Sequence, residues 1–348
     1  MKSIFLISFL FIGTVIGCQK EEGTLQSFWE TIDPENAGFS SDSITFALSN
    51  AEKLNNFYSL IVLKGGKIAA EGYFNGKRES SHFHLRSITK SVVSVLTGIA
   101  IDKSFLRGSD QPLSEIFTGI DNDRLESITV GHLLTMSSGV EWDEEKDVIE
   151  ILEHRGGDPM DIFLTNAQES EAGLFFKYST LSTHILGLAI AEASKLSLEQ
   201  FAQQHLFEPL GIDSYRWERD VKGRVWGSTG LQLKARDLAK IGLMVMNEGI
   251  WKERQVISSS WVNEMIKSQI SIQGSGSSYG YQWWISNNLD YQLIFGQGFG
   301  GQSLMLIPEK EIIIIGLQEH FVGFENSAKQ WNSFLRKVFY PIYNSIDQ

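Results

Sequence analysis

The sequence predicts an α+β protein: an antiparallel sheet drawn from both chain ends, flanked by helices, with a helical subdomain inserted between its two halves. Three observations lead there. Extended apolar runs are confined to residues 58–74 and 279–317. Residues between about 102 and 225 read mostly as helix and loop, and strands and helices do not alternate as βαβ units would. A length of 348 residues with 42% apolar and 21% charged content suits one large domain or two closely packed ones. The net charge of −12 argues against a nucleic acid or an anionic membrane surface as partner, because both need a basic footprint.

At the N-terminus, MKSIFLISFLFIGTVIGC sets Lys2 before an apolar run from Ile4 to Ile16, followed by Gly17 and Cys18. This is the layout of a signal peptide over residues 1–17, and the run is shorter than the roughly 20 residues of a membrane-spanning helix. VIGC resembles the lipobox of bacterial lipoproteins. Cys18 is then expected to carry lipid, and residues 18–38 to form a tether ahead of a folded domain at 39–345. An uncleaved anchor with an incidental cysteine is the alternative. Either reading exports the protein to the bacterial cell envelope, facing the periplasm or exterior, and its one membrane contact is this anchor. Cys18 is the only cysteine, which excludes an intrachain disulfide and a cysteine metal cluster.

Residues 42–56 have helical spacing, with Ile44, Phe46, Leu48 and Leu54 as apolar positions and Ser41 or Asp42 as cap. YSLIVLKGGKIAAEGYF reads as a hairpin about a Lys-Gly-Gly turn. Further helices are expected at 129–136, 181–194 and 198–206, and over 230–249, closed by Gly249. Strands return in YGYQWWIS, DYQLIFGQG and QSLMLIPEKEIIIIGL, the last turning at Pro308–Lys310, and a final helix fits 324–339.

The stretch FHLRSITKSVVSVLTGIAI opens a largely apolar helix near Ser87, with Lys90 one turn on, where a capping box would carry Glu or Gln. A base at the positive end of a helix breaks the local rule. Residues i and i+3 share a face, so hydroxyl and amine can meet. Burial among Val92, Val93, Val95 and Leu96, together with the helix N-terminus, would favour a neutral lysine able to take the serine proton. The four residues alone also allow a plain cap with a lysine reaching solvent, but Ser-x-x-Lys occurs only once in the chain.

Ser87-Ile88-Thr89-Lys90 resembles the nucleophile motif of the serine β-lactamase and penicillin-binding protein superfamily, in the branch of class C β-lactamases, carboxylesterases, D-amino-acid peptidases and oligomer amide hydrolases. Tyr178-Ser179-Thr180 is similar to its tyrosine motif, with Thr180 where the family usually has Asn. ITVGHLLTMSSGVEWDE, FEPLGI, STGLQLKARDLAKIGLMVMNEGIWKERQVISSSWV and YGYQWW extend the likeness over roughly residues 40–340. The resemblance implies a β-lactamase/transpeptidase-like fold and a serine hydrolase acting through an acyl-enzyme, with Ser87, Lys90 and Tyr178 catalytic. It implies backbone N–H groups of Ser87 and Phe299 holding the oxyanion, and no metal or organic cofactor. An ester, amide or peptide-like small molecule is the expected substrate. A penicillin-binding or peptidoglycan-interacting protein that acylates with little turnover is the alternative.

The family's Lys/His-Thr/Ser-Gly triplet finds its counterpart in Gly296-Gln297-Gly298. Its basic first residue is absent, which disfavours substrates held by a carboxylate and makes an esterase or amidase the better expectation than an efficient β-lactamase. Thr180, Gln297, Gly298 and Trp142 are the expected substrate contacts, with Gln302 as a further neutral hydrogen-bonding side chain. Gly296, Gly298 and Gly301 also spell Gly-x-Gly-x-x-Gly, but an extended run follows where a dinucleotide site needs a helix. The histidines lack zinc spacing, and the acidic run EWDEEKD lacks the order of a calcium loop and reads as a solvated loop.

Overall fold

The computed structural model describes residues 28–152 and 157–346. The expected signal peptide, Cys18 and the first part of the tether lie outside them. Eight antiparallel strands form the main sheet: β1 (Phe57–Lys64), β2 (Lys67–Tyr73), β3 (Ile270–Ser271), β4 (Ser278–Tyr279), β5 (Trp284–Ser286), β6 (Leu293–Gly298), β7 (Gln302–Ile307) and β8 (Ile312–Gln318). Their order is β2-β1-β8-β7-β6-β5-β4-β3, so the two chain ends meet at the β1–β8 pair.

Unbroken apolar runs in β1 and β8 follow from cover on both faces. Ile61, Leu63, Leu304, Leu306, Ile313 and Ile315 face one core, and Leu60, Val62, Met305, Ile307, Ile312 and Ile314 face the other. The second core is closed by the terminal helices α1 (Ser41–Lys53) and α5 (Phe324–Phe334). The first is closed by α2 (Ile88–Asp102), α4 (Ala235–Met246) and the helical region that holds α3 (Thr180–Ser194). Gly65 and Gly66, at φ +54° and +78°, make the turn between β1 and β2.

Four expectations shift. The buried face of α1 is Ile44, Ala47 and Ala51, whereas Phe46 is 57% exposed. The segment expected as one helix from residue 230 begins as a strand, Leu231–Leu233, because it pairs with Phe83–His84 and Arg216–Trp217 before α4 starts. The segment expected to end as helix at 339 runs on to Tyr343. Residues 18–38 are expected to lie ahead of the folded domain, but Ile32 and Glu30 exchange backbone hydrogen bonds with Ile68, and Trp29 is buried, so the folded part reaches back before residue 39. Among the described residues no helix is long and apolar enough to cross a membrane.

Candidate active site

Ser87 stands at the N-terminus of α2 and its side chain makes no capping bond, so the hydroxyl is left for other partners. The turn into it is held by the backbone. Arg86 sits at φ +49°, a left-handed conformation that costs ~1–3 kcal/mol in a non-glycine residue. Its N–H donates to Nδ1 of the buried His84 at 2.9 Å, and its guanidinium donates to the His320 carbonyl at 2.9 Å.

Lys90 is 1% exposed. Its Nζ lies 3.3 Å from Ser87 Oγ, 3.0 Å from Thr180 Oγ1 and 3.0 Å from the Ser228 carbonyl oxygen. Burial pulls its pKa down to about 8, against the opposing charge of Glu144. The Ser228 carbonyl is itself fixed. The preceding residue, Gly227, donates its N–H to His184 Nδ1 at 3.1 Å, and His184 Nε2 lies 3.1 Å from the Asp220 carboxylate in the interior. His184 thus braces the loop that receives the lysine.

Tyr178 reaches the same place from just before α3. Its ring lies 5.2 Å from Lys90 Nζ and stacks on Trp284 at 5.8 Å. Burial raises the phenol's pKa and the Glu144 charge raises it further, while the Ser87 hydroxyl favours the ionised form. A phenol that stays protonated can donate to a leaving group. Trp284, which also contacts Phe176 and Tyr279, belongs to this wall and is not among the site residues expected from the sequence.

β5 pairs with Ser278–Tyr279 on one side and only with Leu293–Phe295 of β6 on the other, so the β6 edge from Gly296 onward is left open there. A Cβ at Gly298 would lie 2.4 Å from the Leu85 carbonyl oxygen, and one at Gly296 would lie 3.0 Å from Ser91 Oγ. Only glycine lets the strand approach α2 this closely. Among the described residues, neither the Ser87 nor the Phe299 backbone N–H has an acceptor. The turn after Phe299 is clamped: Gln330 donates to the Gly300 carbonyl at 2.6 Å, Gly300 N–H donates to Ser327 Oγ at 2.8 Å, and Gln318 donates to the Gly301 carbonyl at 2.8 Å.

Residues 58–332 match the β-lactamase family. The chain belongs to that family. It is a serine hydrolase of the β-lactamase family, 25% identical over 312 residues to a 6-aminohexanoate-dimer hydrolase of Paenarthrobacter ureafaciens, covering 83% of this chain and 78% of the relative. Its fold is similar to that of a Bacillus anthracis protein assigned as a 6-aminohexanoate-dimer hydrolase (TM-score 0.76, 19% identity, 92% of this chain and 89% of that one). It is also similar to a Bacteroides dorei protein assigned as a β-lactamase (TM-score 0.73, 17% identity, 89% and 100%).

Several expected substrate contacts of this β-lactamase-family site are engaged elsewhere. Trp142 is 2% exposed and donates its indole N–H to Glu144 at 2.6 Å, so it supports a side chain instead of lining a pocket. The Thr180 hydroxyl lies between Lys90 and the Glu144 carboxylate. Gln297 lies opposite Ser303, on the face toward α5, because strand alternation sets it against Gly296 and Gly298. Gln302 is fully buried and bonded to Gln318. Gly298 approaches Leu85 and Arg86, just ahead of Ser87, through its backbone alone.

Glu144 was missed. Its sequence EWDEEKD is that of a solvated acidic loop, yet its carboxylate accepts from the Thr180 N–H at 2.9 Å, at the N-terminus of α3, where an anion is favoured. Among the described residues no group of three or more His, Cys, Asp or Glu side chains is placed to hold a metal ion.

Proposed function

We propose that this chain is an exported, lipid-anchored hydrolase that cleaves an ester or amide bond through an acyl-enzyme on Ser87. The observation that carries the reading is a fully buried lysine amine within 3.3 Å of a serine hydroxyl that caps nothing. Ser87 Oγ attacks the carbonyl carbon as its proton passes to Lys90. The carbonyl electrons move onto oxygen, where the Ser87 and Phe299 N–H groups receive them. Such a donor contributes ~3 kcal/mol to lowering the barrier. Collapse expels the leaving alcohol or amine, protonated through Tyr178 and Lys90. Water then releases the acyl group along the same route in reverse.

Gly296 has no side chain to supply the cation that would bind a substrate carboxylate beside the nucleophile, and a Cβ there would already lie 3.0 Å from Ser91 Oγ. This favours neutral esters and amides, and the amide hydrolase relative points to the amide side of that class. Export rests on Lys2, the run Ile4–Ile16 and Gly17-Cys18.

Intact-mass measurement after exposure to a fluorophosphonate tests the site. One adduct is expected on wild type and none on Ser87→Ala, and an adduct on both would place the nucleophile elsewhere. Palmitate labelling lost in Cys18→Ser is the expected sign of the anchor, and equal labelling of both chains would exclude it.

A further inference from the structure

We propose that Glu144 is a positioning residue that fixes the direction of the hydrogen bonds around Lys90 and thereby aims the amine lone pair at Ser87. The inference rests on the reading of Ser87 as nucleophile. A neutral lysine amine has two N–H bonds and one lone pair. Three groups surround Nζ: the Ser228 carbonyl oxygen, Thr180 Oγ1 and Ser87 Oγ. The carbonyl can only accept. A hydroxyl can accept or donate, so Thr180 decides the arrangement.

The single Thr180 hydroxyl proton is held by Glu144 Oε1. The other carboxylate oxygen, Oε2, is fixed by the Thr180 N–H at 2.9 Å and the Trp142 indole N–H at 2.6 Å, so the carboxylate cannot turn away. Thr180 Oγ1 is left as an acceptor toward Lys90. Two acceptors then take the two amine hydrogens, and the lone pair remains for the Ser87 proton. When that proton transfers, the resulting ammonium has three N–H bonds for the same three oxygens. The set is complete in both protonation states, and no water or side-chain rotation is required between them.

Glu144→Gln reverses the polarity without changing the shape. The two N–H donors at Oε2 require the amide oxygen there, which turns the amide NH2 toward Thr180 Oγ1. The threonine proton must then rotate toward Lys90 and compete with Ser87 for the lone pair. Single-turnover acylation by p-nitrophenyl acetate is therefore expected to fall ~100-fold in E144Q. In a Thr180→Val background, which lacks the hydroxyl, adding E144Q is expected to change the rate less than about 3-fold. T180S, which keeps the hydroxyl, should keep the full sensitivity to E144Q. The acid limb of the pH–rate profile should move to lower pH in E144Q, because the Glu144 charge that holds the Lys90 pKa up is lost, while the plateau rate above it falls.

Equal rates for folded wild type and E144Q would overturn the inference. So would an E144Q effect undiminished in T180V, or a plateau rate at high pH equal to that of wild type, either of which marks a simple charge effect. If E144Q does not fold, Trp142→Phe, which releases one oxygen of the carboxylate, must slow acylation by itself, and a wild-type rate there overturns the inference. Absence of a Ser87 adduct in wild type would remove the nucleophile reading and this inference together, whereas an adduct with insensitive E144Q removes only the latter.

Discussion

The lysine base makes a quantitative prediction about pH. Burial brings Lys90 from 10.5 down to about 8. The neutral, proton-accepting fraction is then about 1% at pH 6, about 10% at pH 7 and about 50% at pH 8. The acylation rate should rise about 50-fold from pH 6 to 8 and level off above. Stopped-flow measurement of the p-nitrophenolate burst, with Ser87→Ala subtracted for background hydrolysis, reads it directly. A flat profile from pH 6 to 8, or a rise that continues toward pH 10 as for an exposed lysine, would refute the assignment of Lys90 as base.

The same group predicts how stability varies. Its folded pKa lies below its unfolded one, so between about pH 8 and 10.5 the unfolded chain binds more protons and stability rises with pH. The cost of carrying this lysine, about 3 kcal/mol, is full below pH 8 and fades toward pH 10.5. Lys90→Met should therefore gain Tm relative to wild type at pH 7, and lose most of that advantage at pH 10.

Other perturbations reach the remaining parts of the site. Gly298→Ala sets a Cβ 2.4 Å from the Leu85 carbonyl oxygen, and should cost ~1–3 kcal/mol and lower kcat more than it raises KM; a wild-type Tm would contradict the packing. Gln330→Met removes the donors to the Gly300 and Glu319 carbonyls, so affinity for a boronic-acid transition-state analogue should fall ~10-fold with KM nearly constant. Parallel changes in both would show that the turn after Phe299 does not hold the oxyanion. Trp284→Leu removes the ring stacked on Tyr178 and should reduce kcat several-fold while leaving the Ser87 adduct intact, and an unchanged kcat would show that the phenol is held by other contacts.

Much of the architecture is legible in the sequence because it depends on local pattern. The runs around Ile61 and Ile314 mark buried strands at opposite chain ends, and the glycines at 65 and 66 mark the turn between β1 and β2. Ser87 and Lys90 are legible for the same reason, since one helical turn brings them together. What local pattern does not carry is which face a residue takes once strands pair. Gln297 was expected to front the substrate, but the pairing of β6 with β7 turns it the other way. The start of α4 was misread because Leu231–Leu233 is claimed by partners about 15 and 150 residues away. Glu144 is the hardest case. Its neighbours are charged and exposed, and only the long-range approach of Thr180 and Trp142 distinguishes it from the acids around it.

The β1–β8 pairing has a consequence for the order in which the molecule can be made. Ile61 lies opposite Ile315, so the strand synthesised first has no central partner until almost the entire chain exists. Before then, residues 57–73 can form only an isolated hairpin, which is marginal in water, and both of its greasy sides await cover. A product ending a few dozen residues early would lack β8 and α5 together. It would be a chain that never closes around its own centre, and a natural target for chaperones and proteases.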